Sequence, residues 1–171
     1  MNYHQNVNMK DYVLSLVGLK GTETVLELYS GGGNFTIPFA SKAGKVVGIE
    51  VGESSISDAL ENIRINNISN LTFIKATAEK GLKEIQRVKF KIQNLGIVVV
   101  DPPRDGCSKE VVDGIASLKP EKIIYVSCKP STLARDLYRF QVLGYAARSS
   151  KPFDMFPQTY HIESVTELVL L

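Results

Sequence analysis

Val25-Leu-Glu-Leu-Tyr-Ser-Gly-Gly-Gly-Asn-Phe-Thr-Ile-Pro38 reads as an apolar strand that runs through a glycine turn into the start of a helix. Glycines at 31 to 33 let the backbone take conformations closed to other residues and come close to a ligand before a helix begins. Around this stretch, short β-rich runs alternate with longer amphipathic segments, which predicts βαβ units and a mainly parallel sheet. Strands are predicted at Thr24–Tyr29, Lys45–Glu50, Leu71–Ala76, Gly96–Asp101, Lys122–Ser127, Tyr145–Phe153 and Glu163–Leu171. Helices are predicted at Met9–Val17, Phe35–Ala43, Glu53–Asn66, Glu79–Lys91, Lys109–Leu118 and Ser131–Leu143. The last two strands are joined by Asp154-Met-Phe-Pro-Gln-Thr-Tyr-His161, too short and proline-broken for a helical crossover, so they are expected to pair antiparallel. The expected class is α/β, a seven-stranded, mainly parallel sheet with its last strand antiparallel and helices on both faces.

Composition sets the outer limits. The 171 residues, 44% of them apolar, suffice for one substantial core, so a single domain over residues 1–171 is expected. Met1–Lys10 is polar and finds no partner in the pattern, so it is expected to be a tail or the remnant of a linker. A net charge of +2 is too mild to indicate a nucleic-acid partner by itself. Two cysteines, Cys107 and Cys128, cannot make a disulfide framework or a four-cysteine metal site, and His4 and His161 add little ligand capacity. No metal is expected, and the natural compartment is a reducing cytoplasm. No signal peptide is visible and no apolar run reaches about 18 residues, so no membrane association is expected.

In an open parallel sheet, ligands bind beyond the carboxyl ends of the strands. The glycine turn alone also reads as a tight turn with no ligand. The second strand, however, ends in Glu50, where a carboxylate can accept hydrogen bonds from both ribose hydroxyls of a nucleoside. The third glycine of a dinucleotide fingerprint is missing, since Asn34, Phe35 and Thr36 follow Gly33. A sulfonium cofactor has no pyrophosphate to seat, and Glu27 with Asp101 would offset its charge, so S-adenosylmethionine fits better. Glu27 is equally readable as a surface-facing strand residue. The fourth strand delivers Asp101-Pro-Pro-Arg104, whose prolines stiffen a wall against which a planar base could lie. The fifth leads through Tyr125-Val-Ser-Cys128-Lys-Pro-Ser-Thr-Leu-Ala-Arg-Asp136 into a helix. Pro130 suits a first helical position, and the helix start together with Lys129 and Arg135 is expected to lower the Cys128 thiol pKa.

With Phe153-Asp-Met-Phe-Pro-Gln-Thr-Tyr-His-Ile-Glu-Ser164, these motifs make the chain resemble the class I S-adenosylmethionine-dependent RNA 5-methyluridine methyltransferases over nearly its whole length. The resemblance implies a Rossmann-like fold, RNA as partner (tRNA or ribosomal RNA) and methylation of uracil C5. By position, Cys128 resembles the thiolate that adds to uracil C6, and Glu163 the base that removes the C5 proton. Tyr29, Gly31, Gly33, Asn34, Glu50 and Asp101 match positions around the cofactor, and the resemblance implies that Asp101 also contacts the target uracil. Thr77 stands where related enzymes often have an acid near the adenine.

The chain departs from that family at Lys129, where an asparagine is common, and shows none of the N-terminal RNA-binding region, central domain or cluster-binding cysteines. For RNA contact, Arg135, Arg139, Arg148 and Lys151 are candidates at phosphates, and Phe153, Phe156 and Tyr160 read equally as rings that stack on a base or as packing anchors. The basic run Lys75, Lys80, Lys83, Arg87, Lys89 and Lys91 reads as a solvated face. Two alternatives stay open: an S-adenosylmethionine-dependent RNA methyltransferase that uses no thiol, and a noncatalytic cofactor-binding module.

Overall fold

A computed structural model describes residues 2–87 and 95–171. Its elements are α1 (Tyr3–Val17), β1 (Thr24–Leu28), α2 (Thr36–Ala40), β2 (Lys45–Glu50), α3 (Glu53–Ile65), β3 (Leu71–Lys75) and α4 (Ala78–Gln86). They are followed by β4 (Leu95–Val100), α5 (Lys109–Ser117), β5 (Lys122–Ser127), α6 (Pro130–Val142), β6 (Tyr145–Phe153) and β7 (Glu163–Leu170). The strands form one seven-stranded sheet in the order β3-β2-β1-β4-β5-β7-β6. Pairings from β3 through β5 are parallel, and β7 runs antiparallel to both β5 and β6. The chain winds outward from β1 to β3 and then crosses back to β4 on the other side of β1. The switch point therefore lies between the ends of β1 and β4, where ligand crevices form in such sheets.

Strand alternation divides the core into two layers. Leu26, Leu28, Val47, Ile49, Val98, Val100, Ile123 and Tyr125 pack against α4, α5 and α6. Val25, Val46, Val99, Ile124, Val126 and Val165 face the other way, where Met9, Val13 and Val17 of α1 and Phe39 and Ala40 of α2 cover them. Both faces are buried, which is why β1 and β5 read as continuous apolar runs. Each such aliphatic side chain removed from water stabilises the fold by roughly 1.5–3 kcal/mol.

Three predicted elements differ from the structure. Residues 3–10 are the first half of α1, not a tail: Asn2 caps the helix by accepting from the Gln5 amide (3.3 Å), and Met9, Val13 and Val17 recur every fourth residue to bury one face. Helix α2 is shorter than predicted, ending at Ala40. Helix α4 ends at Gln86, and the predicted extension from residue 88 to Lys91, with Lys89, lies outside the described residues. At the β6 edge the register shifts between Ala147 and Ser149, leaving Arg148 as the extra residue of a bulge, and Lys151 and Pro152 follow. A bulge, charge and proline all blunt an open edge against pairing with another chain. Among the described residues, no helix is long and apolar enough to cross a membrane.

Candidate active site

The turn after β1 begins with Tyr29 in the left-handed region (φ 61°), followed by Gly31 (φ 52°) and Gly33 (φ 92°). At Gly33 a Cβ would meet the far end of the Ile37 side chain at 2.9 Å, and its φ is one that side-chain-bearing residues rarely adopt, so a larger residue there is strained. Glu50, at the end of β2, is the anchor of this region. One of its carboxylate oxygens accepts from the Gly31 amide (2.8 Å), and the other accepts from Val51 (2.8 Å) and Gly52 (2.6 Å). Beside it lies a largely apolar cavity of about 190 Å³ lined by Tyr29, Ile49, Glu50, Val51, Ala76, Thr77, Ala78 and Glu79. Thr77 is the N-cap of α4, accepting from the Lys80 amide (3.4 Å). Asn34 stands apart from this cavity and exchanges side-chain hydrogen bonds with Asn6 of α1 (3.3 Å each).

Three acids, from β1, the end of β4 and the start of β7, are coupled electrostatically through Asp101. Glu27 is 1% exposed, which settles the choice between surface and interior, and its Oε2 has no hydrogen-bond partner among the described residues. Burial, reinforced by the charges of Asp101 and Glu50, pushes its carboxyl up to about 8, against the pull of the Thr36 hydroxyl. Asp101 follows the last residue of β4, and burial together with Glu163 pushes it up to about 7. Glu163 opens β7 and is raised by its own burial, with the Arg104 charge acting in the opposite direction.

Cys128 follows β5 and immediately precedes Lys129, the N-cap of α6, with Pro130 at the first helical position as expected. Its thiol pKa is raised, contrary to the sequence expectation: burial dominates, Glu163 and Asp101 add to it, and Arg104 and a backbone hydrogen bond oppose it. The expected helper, Arg135, is turned elsewhere. Arg104 instead supplies the nearby cation, and its Nη2 donates to His161 Nδ1 at 2.5 Å across the site.

A residue that sequence reasoning quoted but gave no role organises this region. Asp136 has no exposed surface; its Oδ2 accepts from the Tyr125 hydroxyl (2.7 Å) and the Cys107 amide (2.8 Å), and its Oδ1 from Arg135 Nε (2.9 Å) and Arg139 Nη1 (3.3 Å). Arg135 also donates to the carbonyls of Asp105 (2.7 Å) and Cys107 (3.3 Å), and the Thr132 hydroxyl to that of Arg104 (3.1 Å). Helix α6, which Cys128 precedes, thus clamps the loop that follows Asp101. The signal was an acid on the apolar stripe Leu133, Asp136, Phe140.

These bonds correct one assignment, and ring contacts decide another that was open. Arg135 and Arg139 are committed to Asp136 and loop carbonyls, not held out toward phosphates. Phe153 is buried against Tyr12 as a packing anchor, with Lys151 over both rings, whereas Phe156 and Tyr160 are exposed. Cys107 is buried, its thiol pushed up to about 12 by desolvation, so it is not a reactive thiol. Lys75, Lys80, Lys83 and Arg87 lie on the surface, with Lys75 paired to Glu53 (3.2 Å); Lys89 and Lys91 lie outside the described residues.

The family model for tRNA (uracil-5-)-methyltransferases matches residues 1–170. An uncharacterized RNA methyltransferase of Caldanaerobacter subterraneus subsp. tengcongensis is 42% identical over 165 residues, 96% of this chain and 36% of that protein. One of Halalkalibacterium halodurans is 40% identical over 172 residues, 99% of this chain and 36% of that protein. The chain therefore spans about a third of the length of the curated relatives it matches. Among solved structures, the Pyrococcus abyssi tRNA (uracil-54, C5)-methyltransferase in complex with S-adenosyl-L-homocysteine superposes with a TM-score of 0.82 at 35% identity, covering 99% of this chain and 39% of that one. A precorrin-6y C5,15-methyltransferase of Geobacter metallireducens shares the fold, with a TM-score of 0.75 at 15% identity over 95% of this chain and 87% of that one.

Proposed function

The chain belongs to the tRNA (uracil-5-)-methyltransferase family, and from that premise we propose that it carries the chemistry that methylates C5 of a uridine in tRNA or ribosomal RNA. The carrying observation is a thiol, Cys128, grouped with two carboxyls of raised pKa, Asp101 and Glu163, and with the Arg104 cation.

The residues fit an S-adenosylmethionine. Glu50 is already aimed by three amides and keeps one acceptor site, on the oxygen that binds the Gly31 amide, for a ribose hydroxyl, and the apolar cavity beside it suits an adenine. The orphaned oxygen of buried Glu27, with Asp101 near it, suits a sulfonium, whose charge would stabilise both carboxylates. When bound, that cofactor supplies an electrophilic methyl group to C5 of the uracil.

Cys128 makes C5 reactive. Its thiol first loses a proton to solvent, and the thiolate then bonds to C6, moving the C5=C6 electrons onto C5 and the C4 carbonyl oxygen. Arg104 supplies donors where that negative charge grows. After C5 has gained its methyl group, Glu163 takes the remaining C5 proton. The electrons of that C–H bond restore the double bond, and the C6–S bond breaks to return the Cys128 thiolate. With both cysteines free, the chemistry suits a reducing cytoplasm.

RNA carrying 5-fluorouridine tests the reading, because fluorine at C5 cannot leave as a proton does. The expected product is a stable adduct between the methylated base and Cys128, read as a denaturation-resistant band and a modified Cys128 peptide. Methyl transfer that survives Cys128→Ala would overturn it in favour of a methyltransferase that uses no thiol.

A further inference from the structure

We propose that Tyr160 is a stacking platform for the base of the nucleotide next to the target uridine in single-stranded RNA; the inference rests on the RNA-methylating reading above. Tyr160 is 90% exposed in the loop between β6 and β7, three residues before Glu163. A lone exposed aromatic is ordinary on a protein surface, as Tyr138 on α6 illustrates. Tyr160 differs in what lies beside it, a ring tilted at 48° to its own. Its ring centroid is 4.2 Å from that of His161, and His161 is braced edge-on by Phe156 (6.1 Å, 75°) and held by Arg104. The backbone under this step is fastened as well: the Thr159 hydroxyl donates to the Phe156 carbonyl (2.7 Å) and accepts from the His161 amide (3.2 Å).

A braced aromatic ring beside a cation, at the rim of a site that takes a flipped base, meets a definite physical need. Extruding one base breaks its stacking with its neighbours, a loss of a few kcal/mol. A neighbour that restacks on an aromatic side chain recovers much of this, whatever its identity, because every base has a π-face. Arg104 supplies the positive charge that a nearby phosphate would meet.

The probe is an RNA hairpin whose single-stranded loop carries one 5-fluorouridine, used with the full chain. Tyr160→Ala is expected to weaken binding about 5- to 150-fold, the range stacking on one ring carries. Tyr160→Phe should retain wild-type affinity, and the salt dependence should not change, since no phosphate contact is lost. On the wild-type protein, an abasic nucleotide on one side of the 5-fluorouridine should reproduce the loss, and the two changes should not add. Equal affinity of wild type and Tyr160→Ala, whether tight or negligible, overturns the platform, as do additive losses. The adduct to Cys128 reports separately on the underlying reading: an adduct formed with no Tyr160 effect removes only the platform, and a Tyr160 effect with no adduct removes only the covalent mechanism.

Discussion

Ser164 lies directly opposite Ser127 in the antiparallel β5–β7 ladder, and its hydroxyl donates to the Ser127 carbonyl at 3.3 Å. Cys128 leaves β5 at the same end of the sheet at which Glu163 enters β7. A strand running parallel there would deliver its first residue to the opposite end, so the reversal of β7 brings the thiol and the carboxyl into one site. Because side chains alternate along a strand, a one-residue slip in this ladder would turn Glu163 to the other face.

Glu163→Gln follows from that pairing. Losing the negative charge lowers the Cys128 thiol pKa, since Glu163 is second only to burial among the causes raising it. Alkylation of Cys128 by iodoacetamide at pH 7–8 is therefore expected to be faster than in wild type, read by peptide mass spectrometry. The same variant lacks the base for C5, so covalent RNA adducts should accumulate on ordinary uridine while product release stops. Arg104→Gln removes a lowering charge and should slow the alkylation.

Glu27 makes cofactor preference depend on pH. With its carboxyl pushed up to about 8, it is largely protonated at pH 7, and a sulfonium must displace that proton. Affinity for S-adenosylmethionine should rise between pH 6.5 and 8.5 with proton release, while the uncharged thioether of S-adenosylhomocysteine should show a much smaller change, both measured calorimetrically in two buffers.

The same shift sets a stability trend. The folded state holds the Glu27 proton up to about 8 and the unfolded chain only to about 4.5, so this contribution is complete below 4.5 and is lost as pH rises through 8. Thermal scans should show Glu27→Gln less sensitive than wild type across that window, with a higher Tm at pH 9, about 2–4 °C for each kcal/mol recovered.

The Asp136 clamp predicts a structural penalty with a functional signature. Asp136→Asn turns an NH2 group toward donors and should destabilise the fold by about 3 kcal/mol, as expected for breaking a buried ionic network. Gly106→Ala should act similarly, because the residue sits at φ 73° and a Cβ would come within 2.4 Å of Asp136 Oδ2. Both should leave the Glu50 cavity intact, so denaturation midpoints fall while cofactor affinity at low temperature holds.

What could be read from the chain follows from what repeats along it. The strands were legible because their apolar runs are continuous, and Glu50, Asp101 and Cys128 stood out as polar residues where those runs stop. That same continuity hid the fate of Glu27, because in a sheet covered on both faces alternation carries no information about exposure. The start of α1 was missed because its first turns, before Met9, bury nothing large. The thiol shift was out of reach for a different reason: Lys129 and Arg135 are close in sequence, but Glu163 and Arg104, brought in by other elements, govern the charge around Cys128. Arg135 and Arg139 look free until a buried acid on their own helix is recognised.

The three amides on Glu50 have a thermodynamic consequence. They tie the turn after β1 to the turn after β2, so the acceptor meant for a ribose is immobilised during folding rather than during binding. Little conformational entropy is then left to lose when a nucleoside arrives, and its affinity should come with a small structural response. The Gly31, Val51 and Gly52 amides should already exchange slowly with solvent deuterium in the free protein, and ligand should slow them little further.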